Sequence, residues 1–294
     1  MTSFRKTFHC SAGNSYLFAL TKPFLPECGP DNGQGEAVYW FIFQKDHLVL
    51  AKDGEDLRVP YAQQPPLSSD HITYQRCIGR YAGAPCMVAE LLPELSIGCG
   101  FTSVGLREAY GNLSLDLWTI AGRAAQILTW QRDHRFCGRC GTVMQELQDE
   151  VVKKCSQCGF TAYPRLSPAV IVAVIKDNAI LLGRAARFPK EMYSVLAGFV
   201  EPGETLEEAV IREVKEEADI KVKDVRYMAS QSWPFPHSLM VGFTARYDSG
   251  TVRVNDGELA DVRWFTPDNM PPIPSTMSIA RRLIDLFLKD CLNV

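Results

Sequence analysis

The chain has no run of about 18 apolar residues, the length a helix needs to cross a bilayer, so no membrane span is expected. Its first residues, MTSFRKTFHCSAGNS, hold no apolar stretch of the kind that directs secretion. The last four, CLNV, match no retention or peroxisomal signal. A cytoplasmic location is the expectation that follows. The chain also lacks a large excess of either charge: 31 basic against 34 acidic residues give a net −3. That disfavours a globally basic nucleic-acid binder but leaves a local basic patch open. With 21 Gly and 18 Pro in 294 residues it is neither collagen-like nor of low complexity. No internal repeat of 20–50 residues is visible.

What is present reads as ordinary globular protein. Apolar residues make up 46% and charged residues 22%, which argues against long disorder. A length of 294 residues suggests two domains. The small net charge is unevenly placed. Residues 201–217 hold seven Glu against Arg212 and Lys215, so this segment carries −5 and the remainder +2.

The first 110 residues read as short strands, such as AVYWFIF (37–43) and HLVLA (47–51), separated by turn-rich pieces such as CGPDNGQGE (28–36). No catalytic motif is apparent there. Residues 114–134 read as a helix: Ser114 can cap it, and Leu117, Ile120, Ala121, Ala124, Ile127 and Leu128 recur at helical spacing. Beyond a short cysteine-bearing module come two apolar runs, 168–177 and 179–186, split by Asp177–Asn178, which predict a strand pair. A Gly-bounded loop, AGFVEPG (197–203), leads into a strong helix pattern over 205–218. Further strands are expected at 224–229, 239–247 and 260–265, and a closing helix at 278–292.

Four of the ten cysteines form a pattern. Cys137-x2-Cys140 and Cys155-x2-Cys158 each place two thiolates on a tight turn, and two such knuckles complete a tetrahedral S4 zinc site. Gly138, Gly141 and Gly159 suit positive φ in those turns, and Arg135, Arg139, Lys153 and Lys154 would soften the −2 charge of the centre. Two disulfides, four thiols or an iron–sulfur centre are the competing readings. With all four ligands from protein, a zinc there is structural, because no open position remains for a substrate. Cys10, Cys28, Cys77, Cys86, Cys99 and Cys291 are expected to be reduced thiols.

Glu213, Glu216 and Glu217 stand at i, i+3 and i+4 of the 205–218 helix and share one face, with Cβ atoms about 5–6 Å apart. Carboxylates so close repel one another unless a cation neutralises them, and oxygen ligands suit Mg²⁺ or Mn²⁺. The competing reading is a solvated acidic face.

The same stretch matches the Nudix box, G-x5-E-x7-R-E-U-x-E-E-x-G-U, through Gly198, Glu204, Arg212, Glu213, Val214, Glu216, Glu217 and Ile220. One position departs: Asp219 stands where the second Gly falls, just past the helix end. Downstream, SQSWPFPHS (230–238) resembles the S-Q-P-W-P-F-P-x-S signature of NudC-type NADH pyrophosphatases, with Ser232 in place of the first Pro. Ribbon, box and loop occur in that family's order, and the resemblance runs from about residue 107 to 288.

The resemblance implies an α+β chain: a Nudix α/β/α sandwich preceded by a small zinc ribbon and an N-terminal mixed β-rich domain. The expected divisions are 1–113 for the β-rich domain, 114–136 for a connecting helix, 137–163 for the ribbon and 164–294 for the Nudix domain. Carried over residue by residue, it implies structural zinc on Cys137, Cys140, Cys155 and Cys158. It implies catalytic Mg²⁺ or Mn²⁺ on Glu213, Glu216, Glu217 and Glu258 with the Ala197 carbonyl, and Glu217 as the group that positions or deprotonates water. Phe199 and Tyr163 resemble the aromatic pair around the nicotinamide, and Glu150 a contact to that nucleotide. Gln231, Ser232, Trp233, Pro234, Phe235, Pro236, His237 and Ser238 resemble a nucleotide-contacting loop, with Trp233 reaching across a homodimer interface. Ala280 resembles a backbone contact, and Arg107 is a candidate to reach the site from the N-terminal region.

The implied reaction is hydrolysis of NADH or NAD to nicotinamide mononucleotide and AMP, and removal of 5′ NAD caps from RNA. Arg281 and Arg282 could steer RNA or simply solvate a helix face. Two Mg²⁺ would turn the −5 of the acidic segment into −1 and the chain's −3 into +1, which weakens the charge argument against RNA. The competing functions are hydrolysis of another nucleoside diphosphate derivative such as ADP-ribose, and a non-catalytic binding module.

Overall fold

A computed structural model describes residues 20–27, 35–147, 150–186, 191–254 and 257–292. Cys10 and Cys28, and most of the turn-rich piece 28–36, lie outside the described residues. The chain divides into two compact units. One comprises residues 20–165 together with Pro234–His237, and the other comprises the remainder from Leu166.

In the first unit, alternating apolar segments form an eight-stranded sheet: β1 (Phe24–Leu25), β2 (Val38–Gln44), β3 (His47–Asp53), β4 (Asp56–Arg58), β5 (Tyr61–Ala62), β6 (Ile72–Tyr81), β7 (Ala84–Leu91) and β8 (Phe101–Gly105). The order is β1-β6-β7-β2-β3-β4, with β5 added to β2 and β8 to β3. Val38, Trp40 and Ile42 of β2 pack with Val49, Ala89 and Leu91 in one buried cluster. Helix α1 (Leu115–Asp133) lies against β2 and β7. Ser114 caps it as expected, accepting from Leu117 N–H.

Asp116, in the first turn of α1, is 2% exposed yet well supplied with donors. It accepts from the Thr21 N–H and hydroxyl, the Lys22 N–H and the Tyr81 hydroxyl at 2.6–3.1 Å. Burial pushes its carboxyl up, but these bonds outweigh burial and hold it below the ordinary value.

The cysteine module follows as β9 (Met144–Glu146), β10 (Lys153–Cys155) and β11 (Thr161–Ala162), in the order β11-β10-β9. Cys77, on β6, is disulfide-bonded. That corrects the expectation of a reduced thiol there, since no spacing pattern in the sequence marks this cysteine for a partner.

The second unit has a six-stranded sheet: β12 (Ser167–Lys176), β13 (Ala179–Ala185), β14 (Leu196–Phe199), β15 (Ile220–Trp233), β16 (Ser238–Gly250) and β17 (Leu259–Phe265). The order is β15-β16-β12-β13-β17, with β14 on β12. Strand alternation explains the layers. Val170, Val172 and Val174 of β12 pack with Ala209, Val210 and Val214 of α2 (Leu206–Ala218). Ile171, Ala173 and Ile175 face the other way, onto Ile279, Leu283 and Phe287 of α3 (Ile279–Leu292). One helix on each face makes this the expected α/β/α sandwich. Residues 197–199 depart from the expected loop, because β14 pairs with β12 from Leu196↔Val172 to Phe199↔Ala169.

No helix among the described residues is long and apolar enough to cross a membrane.

Candidate active site and metal centre

The four ribbon sulfurs all lie within 4.8 Å of one another, with Cys137–Cys158 at 3.6 Å and Cys140–Cys155 at 3.4 Å. Tetrahedral zinc with Zn–S of about 2.3 Å needs sulfurs about 3.8 Å apart, so the four thiols are gathered on the scale of a zinc site. The two knuckles repeat the same bonds. Cys137 N–H donates to Thr142 O and Gly141 N–H to Cys137 O; Cys155 N–H donates to Phe160 O and Gly159 N–H to Cys155 O. The equivalent Gly141 and Gly159 have φ of 76° and 71°. Gly138, grouped with them in the sequence, is not in the left-handed region, and the second knuckle has Ser156 at its place.

Hydrogen bonds with Thr142 pull the Cys140 thiol down to about 6. Cys158 is pushed up to about 12, because burial and the neighbouring thiols outweigh the Phe160 N–H. Four thiolates cannot share this space without a cation, which is the chemistry of a closed zinc site. Lys153, two residues before Cys155, is engaged on its other side. It is 3% exposed, and its Nζ donates to Gln131 O and His134 O, capping the last carbonyls of α1.

In the sandwich unit, the carboxylates are set by α2. Thr205 and Glu208 form a reciprocal capping box at its start. Asp219 ends it in the left-handed conformation, φ 55° and ψ 27°, with its carboxylate paired to Lys215. Between them, Arg212 gathers the box. It makes two bonds to Glu204, donates to Glu213 at 2.8 Å and Glu216 at 2.9 Å, and donates to Phe199 O at 2.9 Å. These bonds hold Glu204 down at about 2. Gly198 has a reason other than φ: a Cβ there would stand 1.9 Å from the Glu213 carboxyl carbon.

Glu213 is pushed up, first by burial and then by the charges of Glu216 and Glu258, against the pull of Arg212. Glu258 thus lies close enough to add its charge to the cluster, although 45 positions separate it from Glu213 in sequence. Glu217 is buried at 6% exposed. Repelling carboxylates of this kind are a donor set for a hard divalent cation. Here Arg212 holds two of them. Among the described residues, the four cysteines alone bring three or more ligand atoms within 4.8 Å of one another.

The other expected site residues divide between the two units. Phe199 and Ala197 lie on β14, with the Phe199 ring 60% exposed. Tyr163, in the first unit, is 64% exposed, and Glu150 is also exposed. Gln231 is buried, and both ends of its amide are engaged: Nε2 donates to Met277 O and Oε1 accepts from Ile279 N–H. It thereby fixes the start of α3, where Ala280 is buried. Ser232 and Trp233 pair with Leu239 and Ser238 across the β15–β16 hairpin. The turn Pro234–His237 contains a cis Phe235–Pro236 bond and belongs to the first unit. There the Arg107 guanidinium lies 3.7 Å from the Phe235 ring centre, and a Cβ on Gly122 would stand 2.9 Å from Pro234 Cγ. Arg107 therefore meets the loop. The Gly122 contact leaves no signal in the sequence, where that residue reads as an ordinary helix position.

Known proteins resemble the chain over most of its described length. Residues 165–287 match the NUDIX domain, 132–160 the NADH pyrophosphatase zinc ribbon domain, and 38–130 the NADH pyrophosphatase-like rudimentary NUDIX domain. The chain is 45% identical over 226 residues to the NAD-capped RNA hydrolase NudC of Pseudomonas aeruginosa, covering 77% of this chain and 79% of that one. The chain belongs to the NudC family of Nudix hydrolases. The Pseudomonas putida NAD-capped RNA hydrolase NudC is 45% identical over 212 residues, 72% of this chain and 76% of that one. Among solved structures, a NUDIX hydrolase from Nitrosomonas europaea is similar over 54% of this chain and 91% of that one, at 24% identity and TM-score 0.44.

Membership makes the chain a zinc-ribbon Nudix hydrolase. It also identifies the N-terminal sheet, which the sequence offered only as β-rich, as a rudimentary NUDIX domain. Its helix α1 contains no Glu, so it has no counterpart of the carboxylate face of α2.

Proposed function

We propose that this NudC-family chain hydrolyses the pyrophosphate of NADH and NAD to nicotinamide mononucleotide and AMP, and removes 5′ NAD caps from RNA. The observation that carries the reading is the carboxylate cluster of α2, held by Arg212 against Gly198 beside the exposed ring of Phe199.

Glu213, Glu216, Glu217 and Glu258, with the Ala197 carbonyl, would hold Mg²⁺ or Mn²⁺. When bound, such cations neutralise charge on a pyrophosphate and favour ionisation of water. The chain's own groups do the rest. Glu217, drawn into the interior, takes the proton from the attacking water. Water oxygen adds to one phosphorus, and the bridging P–O bond breaks to release the two mononucleotides. Phe199 and Tyr163 offer flat faces for the nicotinamide, where stacking contributes about 1–3 kcal/mol per base-like ring. Glu150, Gln231, Ser232, Trp233, Pro234, Phe235, Pro236, His237, Ser238 and Ala280 form the remaining contacts. The same reading includes a homodimer in the cytoplasm and the divisions 1–113, 114–136, 137–163 and 164–294.

The test is product analysis with NADH, ADP-ribose and NAD-capped RNA in Mg²⁺ or Mn²⁺. Nicotinamide mononucleotide from NADH and from capped RNA is the expected result. Cleavage of ADP-ribose alone would move the chain to a different substrate class, and cleavage of none would make it a binding module.

A further inference from the structure

Glu150 is held from the N-terminal sheet, which bears on substrate given the proposed role of that residue as a contact to the nicotinamide nucleotide. Strands β9 and β10 pair as a hairpin, and the described residues between them are bonded to one another. Leu147 N–H donates to Val152 O at 3.1 Å, and Val152 N–H donates to Glu150 O at 2.8 Å. Arg76, on β6 of the N-terminal sheet, caps this loop. Its Nη2 donates to Leu147 O at 3.0 Å and Glu150 O at 2.5 Å. Its Nη1 pairs with Glu146 Oε1 at 3.3 Å, and the Tyr74 hydroxyl donates to the same oxygen at 2.7 Å. The Arg76 side chain is 11% exposed and that of Glu146 23%, so water screens the pair less than a surface pair.

This arrangement leaves Glu150 exposed while its own carbonyl is held by two donors. A planar guanidinium can serve two carbonyls and a carboxylate together; a lysine ammonium lacks that fork. We propose that Arg76 is a positioning residue. It fixes the Leu147 and Glu150 carbonyls before substrate arrives, so that the Glu150 carboxylate meets the nicotinamide nucleotide without an ordering cost at binding. The rudimentary NUDIX domain, which has no carboxylate face of its own, thus contributes to substrate binding through the ribbon hairpin.

The experiment is steady-state kinetics with NADH and Mg²⁺ on the full chain. Arg76→Met, Arg76→Lys, Glu150→Gln, the Arg76→Met/Glu150→Gln pair and Tyr74→Phe are compared, with melting temperature and zinc content followed for each. Arg76→Met is expected to raise KM roughly five- to tenfold while kcat stays within about twofold, the size of a coupling between residues in contact. Arg76→Lys should recover part of the loss, and it carries the test if the Met variant folds poorly. The double variant should be no worse than Glu150→Gln alone. Tyr74→Phe touches neither loop carbonyl and should leave KM unchanged. Additive effects in the double variant would overturn the proposal, as would a KM rise in Tyr74→Phe that tracks a lower melting temperature, since both mark general support of the fold. If Glu150→Gln raises KM and Arg76→Met does not, the positioning role alone fails. If Glu150→Gln leaves KM unchanged, the substrate reading of Glu150 fails, and the positioning role with it.

Discussion

The carboxyl group of Glu213 occupies the space that a side chain on Gly198 would need, its carbon 1.9 Å from the place of a Cβ. The first Gly of the box is thus explained by a carboxylate seated on the backbone of β14. Gly198→Ala should displace Glu213 and lower kcat on the order of a hundredfold, the scale of an ångström-sized misplacement. Overpacking should also lower stability by about 1–3 kcal/mol. Kinetics and denaturant unfolding of the one variant give both values, and a fully active Gly198→Ala would contradict the arrangement.

Arg212 ties Glu204, Glu213, Glu216 and the Phe199 carbonyl together. Arg212→Lys keeps the charge and loses the fork, so kcat/KM is expected to fall roughly tenfold or more. The pair with Glu204 also sets a pH window. The folded value of Glu204, about 2, lies below its ordinary one, so its contribution is complete above the ordinary carboxylate range. It is lost as pH falls from about 4 towards about 2. Melting temperature against pH should show this acid loss in the parent chain and less of it in Glu204→Gln.

Asp116 anchors Thr21 and Lys22 to the first turn of α1. Asp116→Asn replaces an acceptor-only group by one that also donates, leaving donors facing donors. A loss of about 2 kcal/mol is expected, the scale for bonds to a buried charge. Its folded value is also depressed, so the difference between parent and variant should shrink in acid. Urea unfolding at neutral and acid pH checks both points.

The ribbon should hold one zinc per chain. Cys155→Ser removes a ligand that is 1% exposed at the centre of the small ribbon core. Zinc content should fall to near zero and the ribbon should lose its structure, because in a site this small the metal supplies the folding free energy. Elemental analysis and proteolysis of the 137–158 segment report the two effects.

Much of this site is legible in the sequence because its chemistry is local. Glu204 to Asp219 lie on one helix and its approach, and the four cysteines sit on two short turns, so spacing alone brings them together. The continuous apolar run of β12 likewise announces a strand. What spacing could not show depends on distant backbone. Nothing in the YQRC segment marks Arg76 as the cap of a loop beyond residue 146, and nothing around Gly122 marks its contact with Pro234. Residues 197–199 read as part of a loop because so short a segment carries no period of its own; its pairing with β12 makes it a strand. Gln231 stands in a signature loop, yet its amide is engaged with Met277 and Ile279, which only the folded chain brings near.

Hydrolysis of NADH at the α2 carboxylates is tested by kcat for NADH in Mg²⁺ with the parent chain and with Glu217→Gln. The parent should turn NADH over to nicotinamide mononucleotide and AMP, and the variant should fall by about a hundredfold or more, the scale for loss of general-base catalysis. Undiminished turnover by Glu217→Gln would contradict it.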